Sequence, residues 1–320
     1  MGIIVLTSLA ALAYGLVSNW QELADYDWNI VYWPILVGLS LYPVALGLAV
    51  ATWRKILHQV GGRSRWQQDL RIYCASNITR RLPTLVWFVA GRIYLYNQIE
   101  VPKSVSSLAM LIEGVLILFS GLLLSMIIVP FSSSMGFIGQ HSSKLIPLVF
   151  ISLIVILRTR FLSRFVGWLA RRLGHDQMIT ADVDYQHMLL WTIMYSLVWM
   201  VGGVILYLLV RTLYPLPIHN VPTVIGIWAI GGVVSHLAVL TPGGLGIKEL
   251  TMATLLSNLI PTPIAIIVSI FARVWYSLNE LLWFALTARL SRKPALRANQ
   301  SDPDNLRPEN GHKSGSQESG

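Results

Sequence analysis

The chain has 320 residues, of which 54% are hydrophobic and only 12% charged, whereas a soluble domain carries about 25% charged residues. Several apolar stretches reach the roughly 20 residues that cross a bilayer, so the composition excludes an ordinary soluble enzyme and predicts an all-α, polytopic membrane helix bundle. The formal net charge of +9 does not point to nucleic acid, because the basic residues sit at the edges of apolar segments, as in loops facing anionic lipid.

In chain order, full spans are expected at 2–18, 30–53, 105–129, 145–157, 187–212 and 263–289. At the N-terminus Ala11-Leu12-Ala13 imitates a signal cleavage site, but no basic leader precedes it. Leu6 stands where a myristoylation signal needs Ser or Thr. Two further stretches are interrupted. Residues 69–97 are broken at Arg80-Arg81-Leu82-Pro83, and residues 221–260 at Thr241-Pro242-Gly243-Gly244-Leu245-Gly246. Each reads as a re-entrant hairpin, although 221–240 is long enough for a full crossing. Residues 163–173 read as an interfacial amphipathic helix or an ordinary solvated one. The chain divides into a membrane domain, 1–290, and a polar tail, 291–320, expected to be disordered and cytoplasmic.

Charge orients the bundle. Arg54, Lys55, Arg63, Arg65 and Arg71 follow the second span; Arg158, Arg160, Arg164, Arg171 and Arg172 follow the fourth; Arg289, Arg292 and Lys293 follow the last. All three groups belong on the cytoplasmic side. The segment 21–29 carries Glu22, Asp25 and Asp27 without a base, which suits the outside. Six spans and two hairpins then place both termini in the cytoplasm of a cell (plasma) membrane protein. Trp20, Trp28, Trp33, Trp53, Trp168 and Trp191 fall near the expected interfaces, as an aromatic belt does.

The topology also contains a weak inverted repeat. The second span, a hairpin and the third span form one unit; the fifth span, a hairpin and the last span form another of opposite orientation. Gly91-Arg92, Pro102 and Glu113 in the first are echoed by Lys248-Glu249, Pro261 and Arg273 in the second, with the charge signs exchanged. Inverted repeats with broken helices near the midplane are a common transporter plan.

Glu113, Arg273 and Glu280 lie inside expected spans. A charge facing lipid at the bilayer centre costs about 2.5–3.5 kcal/mol, so these side chains must turn inward and be paired or hydrated. Spacing agrees: Ser106, Glu113 and Ser120 share one helix face, and Ser269, Arg273, Tyr276 and Glu280 form another stripe. Arg273 can pair with Glu249 or Glu113, in a purely structural role or at a functional site. The glycines Gly243, Gly244 and Gly246 permit backbone angles closed to other residues. The half-helix from Ile247 then points its N-terminal amides at the break, an anion-binding arrangement, to which Lys248 adds a charge. Glu249 in the first turn suits the helix dipole. His236 reads better as a satisfied core histidine than as a proton relay. Gly226, Gly231, Gly232 and Ser235 permit close helix packing. Cys74 is the only cysteine, which excludes an intrachain disulfide and a cysteine metal cluster, and no motif for a metal, nucleotide or acyl-enzyme nucleophile is present.

Pro242-Gly243-Gly244-Leu245-Gly246 with Glu249, followed by Arg273, resembles the signature of the lysylphosphatidylglycerol synthase transmembrane region, or flippase-like, family. The first unit resembles that family more loosely: Arg92 stands where an acidic residue is more frequent, and Gly114 where Arg is. The resemblance covers most of residues 1–290. It implies about eight hydrophobic segments with re-entrant helices and, in bifunctional members, flipping of an aminoacylated phospholipid. The soluble aminoacyl-transfer domain of those members has no counterpart in this sequence, so lysylphosphatidylglycerol synthesis is not expected.

The expected function is translocation of an anionic phospholipid or lipid-linked intermediate, a transporter rather than an enzyme, without cofactor or metal. Gly243, Gly244, Gly246, Ile247, Lys248, Arg273 and Arg92 would contact the lipid phosphate; Glu113, Glu249 and Glu280 would pair with the cations. The alternatives are a membrane-embedded transferase, with Glu249 and His236 as its only reasonable catalytic groups, and an accessory subunit partnering envelope-synthesis enzymes.

Overall fold

The structure is a computed structural model and describes residues 2–80, 85–128, 185–238 and 245–298. The expected span at 145–157, the helix at 163–173, the Arg81–Pro83 turn, Gly243, Gly244 and the tail from 299 lie outside the described residues. Among those described, the chain is all-helical. The helices are α1 (Gly2–Ser18), α2 (Trp20–Ala24), α3 (Trp33–Gln59), α4 (Trp66–Thr79), α5 (Leu85–Asn97), α6 (Lys103–Ile128), α7 (Tyr185–Leu213), α8 (Val221–Leu237), α9 (Ile247–Leu256) and α10 (Thr262–Ala298).

Among the described residues, five helical stretches are long and apolar enough to cross a membrane: Trp33–Gln59, Lys103–Ile128, Gln186–Leu213, Ile218–Leu237 and Thr262–Arg289. Of the six segments expected to span, the second, third, fifth and sixth coincide with such helices, with shifted ends. The first is the 17-residue α1, about 25 Å long at 1.5 Å per residue. The start of α3 moves from 30 to Trp33 because Pro34 takes the first turn, where its missing N–H has no intrahelical partner to lose. The two stretches expected to be hairpins hold α4 with α5 and α8 with α9. With 14 and 13 residues, α4 and α5 reach about 20 Å, short of the roughly 30 Å hydrocarbon core. The second hairpin is uneven, since Ile218–Leu237 has spanning length while α9 has 10 residues.

Helices α3 and α7 pack along each other and run antiparallel. The Val31 N–H donates to the Thr212 carbonyl at 3.0 Å, and the Tyr26 hydroxyl to the Leu213 carbonyl at 2.9 Å. Within the hairpins α4 packs on α5 and α8 on α9; α5 then packs on α6, and α9 on α10. Across the bundle α6 lies against α8, and α10 against α4. Helix α1 covers α9 and α10, where Leu12, Ala253 and Ile266 form a small separate core.

Close contact between α7 and α8 rests on glycine. A Cβ on Gly203 would approach the Ile225 Cα to 2.5 Å, and one on Gly232 would overlap the Trp199 ring. Small residues that admit backbones to close range supply the van der Waals packing that holds helices together in lipid. The polar stripes face inward as spacing predicts. Ser106, Glu113, Ser120 and Ser269 are buried, whereas Val274, Leu278 and Leu281 on the other face of α10 are exposed. The aromatic belt needs correction. Trp20, Trp28 and Trp33 are exposed, but Trp53 and Trp191 are fully buried, and Trp168 is outside the described residues.

Candidate functional site

Two ion pairs tie hairpin helices to the long helices that follow them. In the first half, Arg92 on α5 bonds through Nη1 to the Glu113 carboxylate on α6. Its Nε donates to the Ser76 hydroxyl on α4 at 2.9 Å. The guanidinium lies over three rings, Tyr73 at 4.4 Å, Trp53 at 4.5 Å and Phe88 at 4.8 Å. Glu113 also accepts the hydroxyls of Tyr73 at 3.2 Å and Tyr195 at 3.1 Å. Arg92 is 0% exposed and Glu113 3%. Four aromatic residues from four helices thus enclose one salt bridge. A charge stripped of water is tolerable in such a place only when paired and hydrogen-bonded.

Behind this cage runs a second polar chain. Trp53 Nε1 donates to the Tyr96 hydroxyl at 2.6 Å, which donates to Asp69 Oδ1 at 2.8 Å. Asp69 Oδ2 lies 3.7 Å from Arg54 Nε. This chain explains why Trp53 is core rather than belt: its ring covers Arg92 and its N–H has a partner. Sequence reading missed Asp69, Tyr96, Tyr73 and Tyr195. Asp69 carried a usable signal, because a carboxylate in an apolar hairpin meets the same criterion that singled out Glu113.

In the second half the signs are exchanged. Glu249 sits on α9 and Arg273 on α10. Arg273 Nη1 donates to Glu249 Oε1 at 3.0 Å, and the other carboxylate oxygen, Oε2, accepts the Gly246 N–H at 2.7 Å. Gly246 has φ +84°, a left-handed conformation that costs glycine nothing and other residues strain. The turn therefore aims an amide at the first-turn carboxylate of its own helix. This pair is less enclosed than the first, with 23% of the Arg273 side chain and 7% of the Glu249 side chain exposed.

Of the residues expected to meet a lipid phosphate, the structure brings Gly246 and Arg273 to one carboxylate. Lys248 turns elsewhere: its Nζ lies 3.5 Å from the centroid of the Trp228 ring, which stacks on Tyr276 at 4.6 Å. Ile247 opens α9. Arg92 belongs to the other half and is sealed by its partners. Glu280 is half-buried on α10, seven residues beyond Arg273 and so on the same helix face. His236 Nδ1 lies 2.8 Å from the Gly232 carbonyl, which satisfies it within α8. Among the described residues no three His, Cys, Asp or Glu side chains gather to hold a metal ion.

Chemically, Glu249 is an anion held by two kinds of donor. It accepts a helix N-terminal amide and an arginine, the two donors by which proteins bind phosphate. No family model matches the chain, and no curated protein matches it either.

Proposed function

We propose that the chain is an integral membrane protein that moves an anionic phospholipid or lipid-linked intermediate between leaflets, as the resemblance to the flippase-like family implies. The observation that carries this reading is the carboxylate of Glu249 bridging the Gly246 N–H and Arg273. An arriving lipid phosphate competes for both donors; when it leaves, Glu249 returns to them. The site thus exchanges one anion for another without ever leaving Arg273 unpaired, which would cost several kcal/mol in a low-dielectric interior.

The reciprocal packing supports an inverted repeat. Matching α3 with α7, α4 with α8, α5 with α9 and α6 with α10 turns the α4–α5 contact into α8–α9, α5–α6 into α9–α10, and α6–α8 into α10–α4, and all of these contacts occur. The ion pairs exchange in the same way. Transport then consists of rocking one unit against the other around the α9–α10 site. With the Arg-rich loops on the cytoplasmic side, both termini are cytoplasmic and the protein resides in the cell membrane.

The test is reconstitution in vesicles with headgroup-labelled phosphatidylglycerol. Wild type is expected to expose inner-leaflet label to an external quencher, and Arg273→Ala to lose most of that activity. Equal rates in both would sink the proposed site. Mass spectrometry of the same lipids separates movement from conversion: a new lipid species would favour the transferase reading, and transport that needs a copurifying synthase would favour the accessory-subunit reading.

A further inference from the structure

A cavity of about 510 Å³ opens where α3 ends and α4 and α7 begin, and no residue of the Arg92–Glu113 or Arg273–Glu249 pair lines it. Its size falls within the roughly 300–1,000 Å³ of small-molecule sites. Its walls include Arg54, Lys55, His58, Trp66, His187 and Trp191. Arg54 and His58 are four residues apart on α3 and share a face, with Lys55 beside them. The rim is braced. Arg54 Nη2 donates to the Ser64 carbonyl at 3.3 Å, and His58 Nε2 lies 3.3 Å from the Ser64 hydroxyl. Asp69, fully buried, lies 3.7 Å from the Arg54 Nε and orients the guanidinium from behind. Lys55 and His187 are exposed at the mouth.

Two further observations indicate a polar occupant with an apolar attachment. Trp191 lines the cavity and is 0% exposed, and its indole N–H has no acceptor among the described residues, a rare condition for a buried donor. Trp66 is 39% exposed and offers an amphipathic ring of the kind that settles at headgroup level.

We propose that this cavity binds a phosphate-bearing headgroup. Arg54 provides a forked donor and Lys55 a point charge. The histidines and the Trp191 N–H are additional donors, and Trp66 packs against the apolar part of the ligand. The site is independent of the Gly246–Arg273 seat. Its phosphate comes from a lipid or from free phosphate, and the two sources are distinguishable.

The experiment uses the full chain in phosphatidylcholine vesicles containing photo-crosslinkable phosphatidylglycerol, with labelled peptides mapped by mass spectrometry. Label is expected on residues 51–66 and 187–191. Lys55→Glu with His187→Gln should reduce it about tenfold or more, because the first replaces an attracting charge with a repelling one beside an anionic headgroup. Lys55→Arg should keep the label, which shows that the fold is intact, and Arg273→Ala should not change it. Label that resists millimolar inorganic phosphate assigns the cavity to lipid, and label competed away by inorganic phosphate assigns it to free phosphate. Equal labelling of the Lys55→Glu/His187→Gln variant, or labelling no stronger than that from a phosphatidylcholine probe, overturns the proposal.

Discussion

Arg92 and Glu113 join α5 to α6, and Glu249 and Arg273 join α9 to α10. Both bonds run from a short hairpin helix to the long helix after it, yet their surroundings differ. The first pair is wrapped by Trp53, Tyr73, Phe88 and Tyr195. The second leaves its arginine partly open and shares its carboxylate with a backbone amide beside a glycine turn. A buried ion pair by itself says little about function, because it serves helix register as readily as chemistry. The contrast says more: one pair is sealed among rings and the other is partly open, and the proposed exchange rests on that difference.

The largest effect that would break this contrast concerns the sealed pair. Arg92→Ala strands Glu113 with two tyrosine hydroxyls and should cost about 3–5 kcal/mol, seen as a large fall in melting temperature in detergent. Combining Arg92→Met with Glu113→Gln removes both charges and keeps an acceptor for the tyrosines, so most of that loss should return. If Arg92→Ala melts like wild type, the two halves do not differ as argued. Next in size, Gly203→Val forces a side chain onto the Ile225 backbone and should cost about 1–3 kcal/mol by overpacking, measurable in the same melts. Gly246→Ala places a Cβ at φ +84° and should cost about 1–2 kcal/mol. It also tilts the amide that Glu249 accepts, so transport should fall further than stability. The smallest effect is Lys248→Met. It removes a cation from the Trp228 face for about 0.5–2 kcal/mol and should leave translocation near wild type, which would sharpen the seat to Gly246, Glu249 and Arg273.

Much of this was legible in the sequence. Apolar length gave four of the long helices, and the two breaks fall between α4 and α5 and between α8 and α9. Helical spacing turned Ser106, Glu113 and Ser120 inward, and the cost of a lone charge required Arg273 to find a carboxylate, with Glu249 one of two named. Spacing could not choose between Glu113 and Glu249, because that choice depends on which hairpin each long helix packs beside. Nor could hydropathy foresee the aromatic cage. Trp53 and Trp191 score alike as belt residues or core, and only tertiary packing puts the first over Arg92 with Tyr96 as acceptor. The direction of the Lys248 side chain was not legible for a related reason. Sequence places it at a helix N-terminus, but the neighbouring rings of Trp228 and Tyr276 on other helices attract its ammonium more directly.

The most direct measurement compares two double variants in one vesicle preparation, reading both melting temperature and transbilayer movement of labelled phosphatidylglycerol. One is Arg92→Met/Glu113→Gln and the other Arg273→Met/Glu249→Gln. Both should fold, the first should still move lipid, and the second should not. Retained movement in the second variant, or its loss only in the first, would contradict the assignment of the exchangeable seat to α9 and α10.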